Sequence, residues 1–373
     1  MNLILKKEPK TDRLIVFDLM RGYFLFVIMI DHLLRFFGFW ELFTGRGAQW
    51  VSAAEGFFFI SGIMIGIVRG RRMINEKLSS VVNKCFSRFL KLYLWGVGLS
   101  LAFSALAILL AGHEGIKQPV FVGSNINLLV KTLSLRFNYG WADFLIYYAV
   151  YLLVAPFAIW LLRNKLWHSV LLLSLIIWLQ TSTIMGSWQI LFFSGVVVGF
   201  HKEEVEDFFK SLSLRLKKNL ALLVYILSGL SLVASVYFTS IAEEYGRPGS
   251  NGMLFGFNLL GSREYAVDTL RVVFDRNSLA PARLILFYLW FSALYLLFKK
   301  FEVVIKERVG WLLLTFGQNS LYVYIMHAIL LFLLNLMVPL GQHWVINIII
   351  NTGFVLMIWF MTKKKFLFKI IPR

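Results

Sequence analysis

The chain has 373 residues, 59% hydrophobic and 17% aromatic, with a mean hydropathy of +0.73, values that exclude an ordinary soluble domain. Its formal net charge of +18 does not mark a nucleic-acid binder, because the basic residues lie between apolar runs and no basic domain stands apart. The single cysteine, Cys85, excludes an internal disulfide and a cysteine-based metal site.

Residues 1–13 form a short charged tail, expected to be retained, with the first apolar run as its own insertion signal. Ten apolar runs follow, at 14–38, 48–68, 89–111, 142–162, 166–181, 186–200, 219–241, 282–298, 311–336 and 343–361. An all-α polytopic membrane protein of about ten transmembrane helices is expected, forming one domain over 1–373. With the N-terminus in the cytoplasm and the runs alternating, the inner segments hold 27 Lys and Arg and the outer segments 9. That excess predicts both termini in the cytoplasm.

The first run carries Asp18, Arg21, Asp31, His32 and Arg35, the last four within "RGYFLFVIMIDHLLRF". Such groups are costly in a bilayer unless they face protein or water, so they are functional candidates. Eleven residues separate Arg21 from His32, about 20° past three helical turns and a rise of about 16 Å. The two therefore share one face at different depths, Arg21 toward the cytoplasm and His32 toward the outside. Asp18 and Arg21 can neutralise each other at i,i+3.

The second run returns inward as "VSAAEGFFFISGIMIGIVRG". Glu55 falls at a depth near that of His32 and is expected to orient the imidazole, or else to serve as an ion-pair partner. Ser61, Gly62 and Gly66 allow a neighbouring helix to approach closely. The loop after it is basic, with Arg69, Arg71 and Arg72, and leads to Arg88 and Lys91 in the third run. These residues either anchor the membrane surface or form a mouth for a phosphate-rich cytoplasmic ligand.

Residues 112–141 contain "INLLVKTLSLRF", whose spacing suits a helix in the interface or a plain loop. The runs at 166–181 and 186–200 are short enough to form a re-entrant hairpin, with a turn at "STIMGS" that includes Gly186. The long outer loop 242–283 mixes glycines, acids and arginines and could meet a soluble substrate. The ninth run, "GQNSLYVYIMHAILLF", places His327 in the outer half, either at the same site or as a structural hydrogen-bonding group.

Taken together, "FDLMRGYFLFVIMIDH", "SAAEGFFFISG", "NKCFSRFLKLYLW", "WQILFFSGVVVG" and "NSLYVYIMHAILL" resemble, in order, segments of membrane acyltransferases of the acyltransferase-3 type, and the Glu55 form of the second resembles the OpgC-type branch. Lys91 stands where the broader family often has arginine. The resemblance implies a multi-pass enzyme of the bacterial inner membrane that moves an acyl group, acetyl or succinyl, from cytoplasmic acyl-CoA to a hydroxyl of an extracytoplasmic glycan. It implies His32 as catalytic base, helped by Glu55 or Asp31, with Arg21, Arg88, Lys91, Arg71 and Arg72 on the donor side. Arg35, His327 and Tyr324 are expected on the acceptor side. No metal is expected. The expected partners are membrane lipid, acyl-CoA and glycan, not nucleic acid, and a homodimer stays open. The rival reading is a proton-coupled transporter or flippase, which also uses buried charges and broken spans.

Overall fold

The computed structural model describes residues 14–33, 39–45, 49–116, 118–119, 124–241, 253–254, 257–258, 269–338 and 343–372. Apart from a two-residue antiparallel pairing of β1 (Met253–Leu254) with β2 (Phe257–Asn258), the regular structure among them is helical. Among the described residues, seven helical segments are long and apolar enough to cross a membrane: Ala53–Arg71, Leu78–Leu109, Asp143–Arg163, Leu214–Thr239, Pro281–Lys300, Ser320–Met337 and Trp344–Lys363. An eighth arises if Ile184–Phe200 and Lys202–Ser211, bent by 70° at His201, form one broken span. The chain is an integral multi-pass membrane protein.

Helix α1 (Ile15–His32) is not among the seven, because its 18 residues include Asp18, Arg21 and Asp31. It lies in the middle of the bundle, against elements from both halves of the chain. After it come the short α2 (Glu41–Thr44) and α3 (Ala53–Ile65), which widens into a π-helical turn over Gly66–Arg71. Next are the long α4 (Leu78–Leu109), α5 (Asn125–Leu133) and α6 (Asp143–Arg163). Helix α5 falls inside the segment whose spacing suits an interfacial helix. It exposes Ile126, Leu129, Val130 and Leu133 while burying Leu128 and Thr132.

Helices α7 (Trp167–Gln180) and α8 (Ile184–Phe200) form the expected hairpin, but the turn is Thr181–Thr183. Gly186 is already inside α8, and its N–H donates to the capping Thr183 hydroxyl at 3.2 Å. Helix α9 (Lys202–Ser211) and α10 (Leu214–Val236) follow; α10 faces outward along most of its length and ends in a π-helical turn over Tyr237–Ile241. Pro281 opens α11 (Pro281–Lys300), where its missing N–H costs no helical bond.

The expected span 311–336 is not one helix. It breaks at Asn319 into α12 (Glu302–Gln318) and α13 (Ser320–Met337), before the closing α14 (Trp344–Lys363). The break uses Asn319, whose side-chain amide donates back to the Thr315 carbonyl at 2.9 Å. Glycine explains the neighbouring packing. Gly22 of α1 and Gly317 of α12 lie against each other's helix so closely that a Cβ on either would strike the facing backbone. The same holds where Gly62 and Gly66 of α3 meet Gly195 and Gly199 of α8, a small-residue contact in which dispersion over a short separation takes the place of hydrophobic driving force. These two contacts fix α1 and α3 rigidly, and α1 and α3 carry the polar residues of the site.

Candidate active site

The turn arithmetic of α1 puts Arg21 and His32 on one face, and both meet α13. At the Arg21 end, Arg21 Nη1 donates to the Gly317 carbonyl at 3.5 Å, while its Nε is buried with no hydrogen-bond partner among the described residues. Beside it lies a small cavity of about 30 Å³, lined by Arg21, Arg88, Ser61, Tyr148, Ser320 and Tyr324 among others. A space of that size takes a water or one small polar group, and two guanidiniums make it a site for negative charge.

Tyr324 forms one wall of that cavity. Its hydroxyl donates to Asp143 Oδ1 at 3.4 Å, and the same oxygen accepts the Phe144 N–H at 2.7 Å at the start of α6. One helical turn further along α13 is His327, whose ring centroid is 5.9 Å from that of Tyr324. His327 is 1% exposed, with the edge of Phe354 against it at 6.0 Å. Its Nε2 lies 3.2 Å from His32 Nδ1, and the two imidazoles stack with centroids 5.0 Å apart and planes 25° apart. One of these nitrogens must carry the shared proton, so the contact ties the tautomers of the two rings together. Nδ1 of His327 is buried without a hydrogen-bond partner among the described residues.

The cavity at Arg21 does not have His32 among its lining residues; Tyr324 and His327 occupy the space between. The link between the two ends is therefore a row of side chains on one face of α13.

Several expected residues stand elsewhere. Glu55, expected to orient His32, is fully buried and paired with Arg283 of α11: Arg283 Nε donates to Glu55 Oε1 at 2.5 Å. Its other oxygen accepts the Ser52 N–H at 2.9 Å and closes the N-terminus of α3. One carboxylate oxygen thus joins α3 to α11 and the other caps α3, and the ion-pair alternative is the one the structure shows. Asp31, adjacent to His32 but rotated about 100° from it, lines a separate cavity on the side of α10 and α11. Arg71 forks onto Glu203 at 2.6 Å and Glu204 at 3.3 Å of α9, while Arg72 and Lys91 are exposed and do not line the cavity at Arg21. Of the expected donor-side cations, Arg21 and Arg88 are the two brought together. Arg35 lies outside the described residues.

Two groups at the His32 end have no local sequence signal. Asp143 reaches the site through Tyr324, 181 residues away. Arg276 is exposed, with its guanidinium over the Trp188 ring at 5.5 Å and its carbonyl accepting the Trp188 indole N–H at 2.9 Å. The preceding Asp275 accepts from Ser278 N at 2.7 Å and Ser278 Oγ at 2.6 Å. Partial burial raises the Asp275 carboxyl, but the Ser278 hydrogen bonds outweigh it and leave the group below the usual range. Among the described residues no three His, Cys, Asp or Glu are grouped to hold a metal ion.

A family model described as OpgC protein matches residues 13–369, nearly the whole chain, and the chain belongs to that family. No curated protein and no solved structure matches it.

Proposed function

We propose that this OpgC-family membrane protein is an O-acyltransferase that takes an acyl group, acetyl or succinyl, from cytoplasmic acyl-CoA and places it on a hydroxyl of an extracytoplasmic glycan. Family membership supports the acyltransferase class and glucan modification as its setting. The observation that carries the residue assignment is the row along α13: Tyr324 walls the cavity holding Arg21 and Arg88, and one turn on His327 contacts His32.

In this reading the N-terminus is cytoplasmic, in a bacterial inner membrane crossed about ten times. Arg21 and Arg88 draw the anionic donor from the inner side, and His32 meets the acceptor from the outer side. His32 Nε2 removes the proton of a sugar hydroxyl while its oxygen attacks the thioester carbonyl. The carbon–sulfur bond breaks, CoA leaves as the thiolate, and the proton held by His32 returns to sulfur or solvent. His327 keeps His32 productive: with the His32 proton on Nδ1 and donated to His327 Nε2, the free lone pair sits on Nε2, where a base is needed. This replaces Glu55 and Asp31 as the group that orients His32.

The test is mass spectrometry of envelope glycans from cells with the protein, without it, and with His32→Ala. An acyl mass increment present only with the unsubstituted protein supports the reading and names the group. Full acylation by a correctly inserted His32→Ala protein removes His32 from the reaction. Substrate movement by purified protein in vesicles lacking acyl-CoA would favour the transporter instead.

A further inference from the structure

The end of α14 carries a basic segment that the acyl-transfer reading does not use. Lys363, Lys364, Lys365 and Lys369 are all exposed, and no acidic residue follows Glu307 in the chain. Arg71 and Lys84, in another basic segment, are paired with Glu203 and Glu76; none of these four lysines has an ion pair among the described residues. Nor are they used to cap the helix. The carbonyls of Phe360, Met361 and Thr362 accept the backbone N–H groups of Lys364, Phe366 and Lys365 at 2.8, 2.9 and 3.1 Å. The ammonium groups are left for something outside the chain.

The backbone gives the segment a fixed shape. Lys365 and Leu367 have φ of 56° and 55°, a left-handed conformation unfavourable for residues that carry a Cβ. It is held by apolar contacts that follow: Phe368 packs on Tyr322 of α13 with ring centroids 4.5 Å apart, and Ile371 is buried. The segment is therefore a hook turned back on the bundle, with Phe366, Leu367 and Ile370 exposed between the lysines. Exposed apolar groups alternating with lysines suit the boundary between lipid head groups and acyl chains.

The end of α14 lies at that boundary. Trp359 and Trp311 meet edge to face at 5.1 Å, and the Trp359 indole N–H donates to the Trp311 carbonyl at 3.0 Å, a pairing of the kind that marks a membrane–water interface. Lys364 Nζ folds back over the exposed ring of Phe360 at 5.8 Å. Met357, also exposed, is three residues before Phe360 on the same face. An ammonium thus closes one end of an apolar track on the outer face of α14.

We propose that this hook binds an anionic phospholipid of the leaflet at this end of α14, its phosphate among Lys364, Lys365 and Lys369 and an acyl chain along Phe360 and Met357. Clustered lysines just outside a span attract a net negative head; a zwitterionic head brings an ammonium of its own and gains less. The bound lipid also braces α13, because Phe368 rests on Tyr322, two residues before Tyr324.

Full-length protein in detergent is titrated with phosphatidylglycerol, with phosphatidylethanolamine and with inorganic phosphate, and the lipid retained per chain is read by native mass spectrometry. Phosphatidylglycerol should be retained about tenfold more strongly than phosphatidylethanolamine, a difference of ~1.4 kcal/mol. The preference should shrink in high salt. Lys364→Gln, Lys365→Gln and Lys369→Gln together should bring phosphatidylglycerol down to the level of phosphatidylethanolamine. Lys165→Gln, Arg215→Gln and Lys218→Gln together remove the same charge from exposed positions elsewhere and should leave the preference intact. Phe368→Ala keeps every lysine but unpins the hook, and should weaken retention as well. Melting curves identify the folded variants on which the comparison is made. Equal retention of the two lipids, an equal loss in the charge-matched control, or displacement of the lipid by inorganic phosphate overturns the proposal. None of these results bears on His32, whose role is read from glycan acylation.

Discussion

Two buried polar pairs at the same end of the bundle differ in how completely they are satisfied. Glu55 and Arg283 use nearly everything they have: a 2.5 Å ion pair, the Ser52 N–H on one side and the Phe274 carbonyl on the other. Both Glu55 oxygens are engaged, and the pair joins α3 to α11. His32 and His327 share one 3.2 Å contact, and Nδ1 of His327 has no partner among the described residues. A saturated pair holds structure. A pair with nitrogens to spare can take and give protons, because the cost of an unmade hydrogen bond is recovered when substrate arrives.

The comparison breaks at once if the two pairs respond alike to substitution. His32→Ala should lower acyl transfer by about 10³-fold or more, the upper part of what a general base supplies, while leaving insertion and thermal stability near normal. Glycan acylation measured beside a melting curve separates the two effects. Glu55→Ala should do the reverse. It strands a buried guanidinium and opens the cap of α3, costing about 3–5 kcal/mol of stability. The protein that does fold should keep its specific activity. Replacing both partners, Glu55→Gln with Arg283→Met, should recover much of that stability, since a buried ion pair stabilises little beyond what apolar packing can supply. Loss of activity in folded Glu55→Ala, with stability unchanged, would return Glu55 to the chemistry.

His327 sharpens the comparison further. His327→Leu removes the acceptor for His32 Nδ1 and frees the tautomer, so kcat should fall about 10²-fold with little change in KM. His327→Gln offers a carbonyl oxygen in place of Nε2 and should recover most of that loss. A purely structural histidine predicts equal losses for Leu and Gln. Nitrogen-15 spectra of histidine-labelled protein give a second readout, with the His32 proton on Nδ1 in the unsubstituted protein and moved in His327→Leu.

How far these pairs are legible in the sequence depends on the distance each contact spans. The shared face of Arg21 and His32 follows from helical period alone. The depth of His327 follows from its distance to the end of its apolar run, and the structure stacks it on His32. The partner of Glu55 is 228 residues away, and depth alone cannot choose between an imidazole and a guanidinium at one level. Asp31 turns away from His32 for a local reason: adjacency along a helix means about 100° apart around it. The break at Asn319 falls in the short polar run Gly317–Ser320, which is outweighed by the apolar residues on both sides, and the close backbone contact of Gly317 with α1 lies beside it. The OpgC family assignment was legible because it rests on ordered segments along the whole chain rather than on any one contact.

The smallest effect tests the margin of the site rather than its pairs. Asp275 holds the turn before α11 by accepting both Ser278 N and Ser278 Oγ, and it sets the backbone from which Arg276 reaches over Trp188. Its carboxyl lies below the usual range in the folded protein, since the Ser278 hydrogen bonds outweigh partial burial. A depressed folded value means that its stabilising contribution is complete above the ordinary carboxylate range and is lost as pH falls through the depressed value. Asp275→Ala should therefore cost about 1 kcal/mol at neutral pH and less in strong acid, where the unsubstituted carboxyl is protonated and keeps only a neutral acceptor oxygen. Asp275→Asn, which also keeps a neutral acceptor oxygen, should lose less at neutral pH and close to nothing in strong acid. Melting curves of the three proteins at neutral and acid pH make the comparison, and an Asp275→Ala cost that persists unchanged into acid would show that the turn is held by shape rather than by charge.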